Sequence, residues 1–185
     1  VGKAEITSGF WQKIIGEEAE DPCGLDCPQV SVSWEKTLLF ANKLSMMEGL
    51  EQCYQINDDS EIVVEERCDG WRLPTDSEWD LISEMKRGLK YAGSDKPEEV
   101  GWIRSNAEMK RHPVCQLKAN ELGFCDLTGN VWEWCFDASE RNSTLRRVRG
   151  GGYSSRSEVA LLNNKIDFPR KFGAGHIGFR LLRSL

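Results

Sequence analysis

Thiols and imidazoles are the groups with which this sequence could bind metals or act as nucleophiles, and there are few of them: seven cysteines and two histidines, His112 and His176. In the segment PCGLDC, Cys23 and Cys27 are spaced like a metal-ligand pair, a local disulfide or two free thiols. A zinc site is the least favoured of the three, because no second cysteine pair follows at zinc-finger spacing. The odd cysteine count leaves at least one thiol unpaired if all bonding is internal. Neither residue type therefore indicates catalysis.

A carboxylate stands between two indoles in the segment GNVWEWC, where Glu133 is flanked by Trp132 and Trp134. A tryptophan pair belongs more often to a core than to a site, and a carboxylate buried with it needs compensation. Turn amides could supply it by donating hydrogen bonds, and so could an arginine such as one in the segment GFRLLR. The residues by themselves therefore favour a structural role for Glu133.

Length and composition indicate one globular unit over residues 1–185. The 39% hydrophobic content is too high for general disorder, and the chain is long enough to bury a core. A net charge of −6 with a pI near 5.1 argues against nucleic acid as the primary partner. No apolar run approaches the roughly 18 residues needed to cross a bilayer, and the start VGKAEITSGF lacks the apolar core of a signal peptide.

Two early segments predict helices with marked ends. The segment TSGFWQKIIG begins with a capping residue, Thr7 or Ser8, and ends at Gly16. The segment WEKTLLFANKLSMMEGL follows Ser33 as N-cap, repeats its apolar residues at helical spacing and ends at Gly49. We expect both helices to pack on the core.

A third helix is predicted in LPTDSEWDLISEMKRG, where Thr75 and Glu78 match a capping box and Gly88 follows two basic residues. The run IVV before it suggests a short strand or hairpin arm. From about residue 100 onward, short apolar pieces such as RVRGGGY and IGFRLL lie among polar, glycine-rich segments. That pattern predicts brief strands joined by long ordered loops.

Six segments, in one order, carry a resemblance to a known family. They are EITSGFWQKIIG, VSVSWEKTLLFANKLSMMEGL, GWRLPTDSEWD, NELGFCDLTGNVWEWC, RVRGGGY and HIGFRLLR, and they cover nearly all of the 185 residues. Together they resemble the domain of the formylglycine-generating, sulfatase-modifying family. The resemblance implies an α+β, C-type-lectin-like fold with a small twisted antiparallel sheet, two to three helices and much ordered irregular chain. The family usually has another hairpin before the first of these segments, and its lack here suggests trimming or disorder at the N-terminus.

The resemblance offers a second interpretation of the GNVWEW segment. In the family this segment is a tight loop whose backbone carbonyls and carboxylate can hold calcium, and the matching positions are Asp126, Gly129, Val131 and Glu133. Calcium takes about six to eight oxygen ligands and accepts such a mixture. A structural calcium ion and the metal-free pairing of Glu133 therefore both stand as hypotheses.

Catalysis in the family depends on residues that this sequence lacks. Oxidase members hold copper through two cysteine thiolates downstream of the RGG motif, and the matching positions are Ser155 and Ala160. A hydroxyl and a methyl are not soft ligands. Related sulfoxide synthases use iron held by histidines of an additional domain, which two histidines cannot supply. We therefore expect no catalytic cofactor and no enzymatic activity.

The resemblance extends to the variable proteins of diversity-generating retroelements, which display a hypervariable C-terminal surface on this fold and end at a GFR-type strand. We assign residues 146–180 as the corresponding ligand-binding region. It mixes rigid aromatic side chains with adaptable hydrogen-bonding ones, as paratopes do, although a polar loop is also simply solvated surface. The residues expected to contact a ligand are Arg147, Tyr153, Ser155, Arg156, Asn163, Asn164, Asp167, Phe168, Arg170, Phe172 and His176.

The function that follows is non-catalytic binding of a protein or glycan. We expect a monomer at the cell surface or outside the cell, with any lipid anchor on a segment before Val1, although the cysteines are also compatible with the cytoplasm. Two alternatives stand beside this hypothesis. One is a formylglycine-generating-type oxidase, and the other is a catalytically silent structural or regulatory member of the family.

Overall fold

Short helices and strands alternate along the chain in the computed structural model, which describes residues 2–17, 21–56, 62–65, 67–83 and 88–183. The helices are α1 (Ser8–Ile15), α2 (Trp34–Met47), α3 (Asp76–Ser83) and α4 (Pro97–Val100), with a 3-10 turn at Ser157–Val159. The strands are β1 (Tyr54–Ile56), β2 (Ile62–Val64), β3 (Trp71–Arg72), β4 (Gly101–Trp102), β5 (Thr128–Gly129), β6 (Trp132–Ala138), β7 (Leu145–Arg149), β8 (Lys165–Pro169), β9 (Ile177–Gly178) and β10 (Leu182–Arg183). This mixture confirms the predicted α+β class.

The ends of the first two helices follow from their capping residues. The Thr7 hydroxyl accepts a hydrogen bond from the Phe10 amide, and the amide of Gly16, in the left-handed region, donates to the carbonyl of Gln12. The Ser33 hydroxyl accepts from the Lys36 amide at the start of α2. Both predicted helices are confirmed, and their boundaries are set by local chemistry.

Helix α3 begins with the predicted capping box. The Glu78 amide donates to the Thr75 hydroxyl at 3.2 Å, and the Thr75 amide donates to the Glu78 carboxylate at 2.9 Å. The predicted basic end of this helix, Lys86 and Arg87, lies outside the described residues. Within the described ranges, none of the helices is long and apolar enough to cross a membrane.

The largest sheet has the strand order β8-β7-β6-β9, with β6, β7 and β8 antiparallel. Antiparallel pairs also join β1 to β2 and β3 to β10, and β2 is the predicted IVV strand. Two short pairs, β4 with β5 and β6 with β9, are parallel. They pair segments that lie far apart in the sequence, so the short-range strand pattern did not predict them.

Strand β6 explains the spacing of the WEW segment. Successive residues of a strand face opposite sides of the sheet, so the two tryptophans share one face and the glutamate takes the other. Trp132 and Trp134 belong to the larger hydrophobic cluster with α1 and α2, whereas Cys135 packs in a second cluster with Trp79 of α3. Glu133 therefore does not lie between the indoles in space, because it faces α3.

Disulfides join six of the seven cysteines. The pairs are Cys23–Cys27, Cys53–Cys68 and Cys115–Cys125. The local disulfide is thus the alternative that the PCGLDC segment adopts. The unpaired thiol belongs to Cys135, which is fully buried, and burial raises its pKa.

Candidate functional site

Glu133 forms a fully buried ion pair with Arg180. The Arg180 guanidinium donates from Nε at 2.6 Å and from Nη2 at 2.5 Å, one bond to each carboxylate oxygen of Glu133. The Trp79 indole adds a third hydrogen bond at 2.9 Å, and Arg180 also donates to the carbonyl of Cys125. Neither side chain of the pair is exposed to solvent. The arginine-paired interpretation of Glu133 therefore describes this site.

Two further buried carboxylates, Glu5 and Asp126, interact electrostatically with the same arginine. Each keeps one oxygen without a hydrogen-bond partner among the described residues. Burial raises the pKa of Asp126 to about 6, and burial together with its neighbours Asp126 and Glu133 raises the pKa of Glu5 well above its usual value. One cation cannot neutralise three carboxylates, so protonation of Glu5 and Asp126 stabilises this cluster.

In this arrangement Glu133 is engaged by partners other than a calcium ion. Both oxygens of Glu133 already accept hydrogen bonds from cationic or indole donors, and Arg180 would repel a second cation. Gly129 of strand β5 pairs with Trp102 of strand β4, and Val131 is buried. Within the described part of the chain, no group of three or more histidine, cysteine, aspartate or glutamate side chains is arranged to hold a metal. The calcium hypothesis for Asp126, Gly129, Val131 and Glu133 remains a prediction that the following experiment tests.

We expect Asp126→Asn to stabilise the protein at pH 8. The pKa of Asp126 is raised in the folded state, so its contribution to stability is present below about pH 4 and is lost as pH rises through about 6. Asparagine stays neutral, can still accept the bond from the Cys115 amide and tolerates the φ of 56° at this position. The free energy of unfolding in urea should exceed that of the wild type by about 1–3 kcal/mol at pH 8 and by much less at pH 4.

The calcium hypothesis predicts the opposite sign for the same variant. If Asp126 held calcium, Asp126→Asn would be less stable than the wild type at pH 8, and a chelator would lower the wild-type Tm. Measuring both proteins with calcium and with chelator separates the two hypotheses.

Ser155 and Ala160, the positions predicted to match the catalytic cysteines, lie in the segment that follows β7. The Ser155 hydroxyl accepts a hydrogen bond from the Gly152 amide at 3.0 Å, and the Ser155 carbonyl accepts one from Arg104. Ala160 is fully buried against Gly151, where an added Cβ would lie 2.9 Å from the Ala160 methyl. A hydroxyl and a methyl in these roles fit no copper ion.

Two of the expected ligand contacts, Arg147 and Asp167, lie in an ion-pair network on the α3 side of the sheet. The Arg147 guanidinium donates to Asp167 at 2.8 Å and to Asp76 at 3.1 Å, and only 7% of the residue is exposed. Arg149 and Lys165 also pair with Asp76. This network borders a groove of about 510 Å³ that Arg147 and Asp167 help to line.

The α2 side of the same sheet carries other expected contacts. The Phe168 ring lies against Trp134 and, edge to face, against His176, whose pKa is lowered by burial. Arg170 pairs with Glu35 at 3.2 Å. Phe172 is 65% exposed.

The remaining expected contacts differ in exposure. Arg156 and Asn163 are exposed and Tyr153 is half-buried, whereas Ser155 is buried. Asn164 is tied internally, since its side-chain amide donates to the Val159 carbonyl. The structure thus places Arg147 and Asp167 on one face of the sheet and Phe168 on the other, and places the other expected contacts outside the strands.

A cavity of about 490 Å³ is the feature that the sequence pattern did not reveal. It lies between the segment 109–113 and the loop closed by the Cys23–Cys27 disulfide. Of the residues expected to contact a ligand, only Tyr153 lines it. Asn130, in the GNVWEW segment, holds the cavity wall: its side chain accepts from the His112 amide and donates to the His112 carbonyl. Side chains lining the cavity include those of Pro22, Met109, Lys110, Arg111, His112 and Tyr153.

Known proteins resemble this chain over different shares of its length. It is 29% identical to the chaperone protein LppX of Paenibacillus barcinonensis over all of this chain and 79% of that protein. It is 32% identical to the formylglycine-generating enzyme of Mycobacterium tuberculosis, but only over 35% of this chain and 26% of the enzyme. The solved structure of Treponema denticola variable protein 1 superposes with a TM-score of 0.90 over 97% of this chain and 82% of that one, at 24% identity.

These matches confirm the predicted C-type-lectin-like fold and the family resemblance. The similarity to the variable protein is a similarity of fold, since the identity is low. The family model of the sulfatase-modifying factor enzyme 1-like domain matches residues 3–185. The chain therefore belongs to the family of sulfatase-modifying factor enzyme 1-like domains.

Proposed function

We propose that this chain is a non-catalytic ligand-binding domain of the kind encoded by diversity-generating retroelements, with residues 146–180 as its variable region. One observation carries the proposal: the region is held by buried arginines near its two ends and carries exposed side chains between them. Arg149 and Arg180 are 1% and 0% exposed and hold internal ion pairs. Arg156, Asn163 and Phe172 lie between them and are exposed. Side chains there can change without disturbing the core.

The absence of catalysis is supported by what replaces the two copper-binding thiols. The hydroxyl of Ser155 closes a turn, and the methyl of Ala160 fills a buried contact with Gly151. Both positions thus serve the backbone that presents the variable region. They supply no soft ligand for copper.

Three disulfides in a chain of 185 residues favour an oxidising compartment. Such bonds persist in secreted and surface proteins and are rare in the reducing cytosol. These bonds support the proposal that the domain works outside the cytoplasm. We further propose that it acts as a monomer and binds a protein or glycan.

Exchanging the exposed residues should leave stability nearly unchanged. Each of Arg156→Ser, Asn163→Ser and Phe172→Ser is expected to change the unfolding free energy by less than about 0.5 kcal/mol, because none of these side chains is buried. The matched control is Arg149→Ser, which leaves Asp76 and Asp80 without the buried Arg149 guanidinium. It should lower the unfolding free energy several-fold more than any of the three surface variants. Urea denaturation of the four variants checks this.

A loss above about 2 kcal/mol in any of the three surface variants would contradict the proposal. So would formation of an aldehyde when a cysteine-containing peptide is incubated with the protein and copper, because that product identifies the oxidase alternative. A formylglycine-generating enzyme serves as the positive control for the aldehyde assay.

A second candidate function is a chaperone-type or other regulatory role. It is favoured by the similarity to LppX, which is named as a chaperone protein and matches the whole of this chain. The flanking DNA separates the two candidates. A near-copy of the gene's 3′ end that differs only at adenines, beside a reverse transcriptase gene, supports the variable protein, and its absence supports the regulatory role.

A further inference from the structure

We propose that the cavity between the segment 109–113 and the loop closed by the Cys23–Cys27 disulfide binds an aromatic carboxylate group of the ligand. This inference rests on the proposed function, since Tyr153 of the variable region lines the cavity. A volume of about 490 Å³ suits one aromatic group and its substituent, as ligand pockets span roughly 300–1,000 Å³.

The inner wall is held rigidly before any ligand arrives. The His112 ring stacks on Trp102 with centroids 3.9 Å apart, and its Nε2 lies 3.0 Å from the Ala107 carbonyl. Arg111 donates two bonds to the carboxylate of Asp21 and one to the carbonyl of Pro28. A wall fixed in this way loses little conformational entropy on binding.

The charge of the lining favours an anion. Lys110 and Arg111 contribute cationic groups to the lining, and among the described residues no carboxylate side chain lines the cavity. Arg111 is paired with Asp21, and its bonds to Asp21 and Pro28 engage three of its five N–H groups. Among the described residues Lys110 pairs with Glu108, and both side chains are more than half exposed, so this pair is weak and a ligand carboxylate can replace it.

The other lining groups favour an aromatic ring beside that carboxylate. The Tyr153 phenol offers a rigid face, and Met109, which is 57% exposed, offers a flexible thioether that packs well against rings. Pro22 and Pro113 add apolar surface. A ring also attracts the neighbouring guanidinium and ammonium groups through its π face.

Three indole probes of similar size test the charge and the ring separately. We expect indole-3-acetate to bind at least tenfold more tightly than the neutral indole-3-acetamide, and tryptamine, which is cationic, to bind least. Titration followed by ¹H–¹⁵N correlation spectra of the intact chain should place the largest shifts in the segment 109–113. Equal affinity for the acid and the amide, or no binding of the acid, would overturn the inference.

Variants locate the site. Lys110→Gln should lower the affinity for indole-3-acetate severalfold and leave that for the amide unchanged, whereas Tyr153→Ala should weaken both. Leu81→Ala, at a residue of α3 that is 66% exposed and does not line the cavity, is the control and should change neither. Unchanged binding in both Lys110→Gln and Tyr153→Ala, with Tm values equal to the wild type, would contradict the assignment.

The two proposals fail in different ways. If the indole acid does not bind while the surface variants stay stable and no aldehyde forms, only the cavity inference is lost. If aldehyde forms while the acid still binds among residues 109–113, the cavity inference stands and the non-catalytic function is lost.

Discussion

Arg180→Met should lower the free energy of unfolding by about 3–5 kcal/mol at pH 7. The substitution keeps much of the side-chain volume but leaves the Glu133 carboxylate fully buried, without its two guanidinium bonds and beside Glu5 and Asp126. Removing one partner of a buried pair is costly because the remaining charge is neither solvated nor neutralised. Urea denaturation followed by tryptophan fluorescence measures the loss.

The matched control for this prediction is Arg183→Met in the same C-terminal segment. Within the described part of the chain, the Arg183 guanidinium donates to the carbonyl of Asp69 near the surface, so its loss should cost less than about 1 kcal/mol. Pairing Glu133→Gln with Arg180→Met should restore part of the stability, because no ionised Glu133 is then left alone. A loss of under about 1 kcal/mol for Arg180→Met would mean that the pair does not hold this part of the fold.

Removing the Cys53–Cys68 disulfide is expected to cost about 3 kcal/mol, because the bond restrains the unfolded chain across a separation of 15 residues. It also ties the residue before β1 to the segment that leads into β3. The double variant Cys53→Ala, Cys68→Ala should show this loss in urea. Removal of Cys23–Cys27, which spans only four residues, should cost about 1 kcal/mol less.

Thiol counting verifies the bonding pattern behind that comparison. In denaturant without reductant, one thiol per chain should react with Ellman's reagent, namely that of Cys135, and after reduction seven should react. Seven reactive thiols before reduction would contradict the three disulfides and remove the expected difference between the two variants.

Local chemistry made the helices predictable. Capping residues such as Thr7, Ser33 and the Thr75–Glu78 box mark helix ends within a few residues of sequence, and the structure places the ends there. The fold was predicted from the resemblance carried by six segments in one order, because that order reflects the whole chain and not only local sequence. The parallel pairs β4–β5 and β6–β9 were not predicted, because their partners are distant in sequence and only two residues long.

The site was predictable only in part, since its contacts are also long-range. Glu133 and Arg180 are 47 residues apart, so the sequence could offer an arginine partner only as one of several alternatives. Arg147 and Asp167 were expected to contact a ligand. The register of β7 against β8 places them opposite each other, and the packing of α3 on the sheet brings Asp76 to Arg147. The cavity brings Pro22 next to the segment 109–113, and no periodic pattern connects two loops so far apart.

Asn130 contacts its loop neighbours through their main chains. Its side-chain amide bonds to the amide and the carbonyl of His112, and its own carbonyl accepts from the amide of Tyr153. Every residue except proline carries these same groups, so the bonds do not depend on which side chains occupy positions 112 and 153. At position 153, mutation can therefore change what the cavity recognises while these main-chain bonds are kept, and a set of different binders built on one backbone requires that freedom.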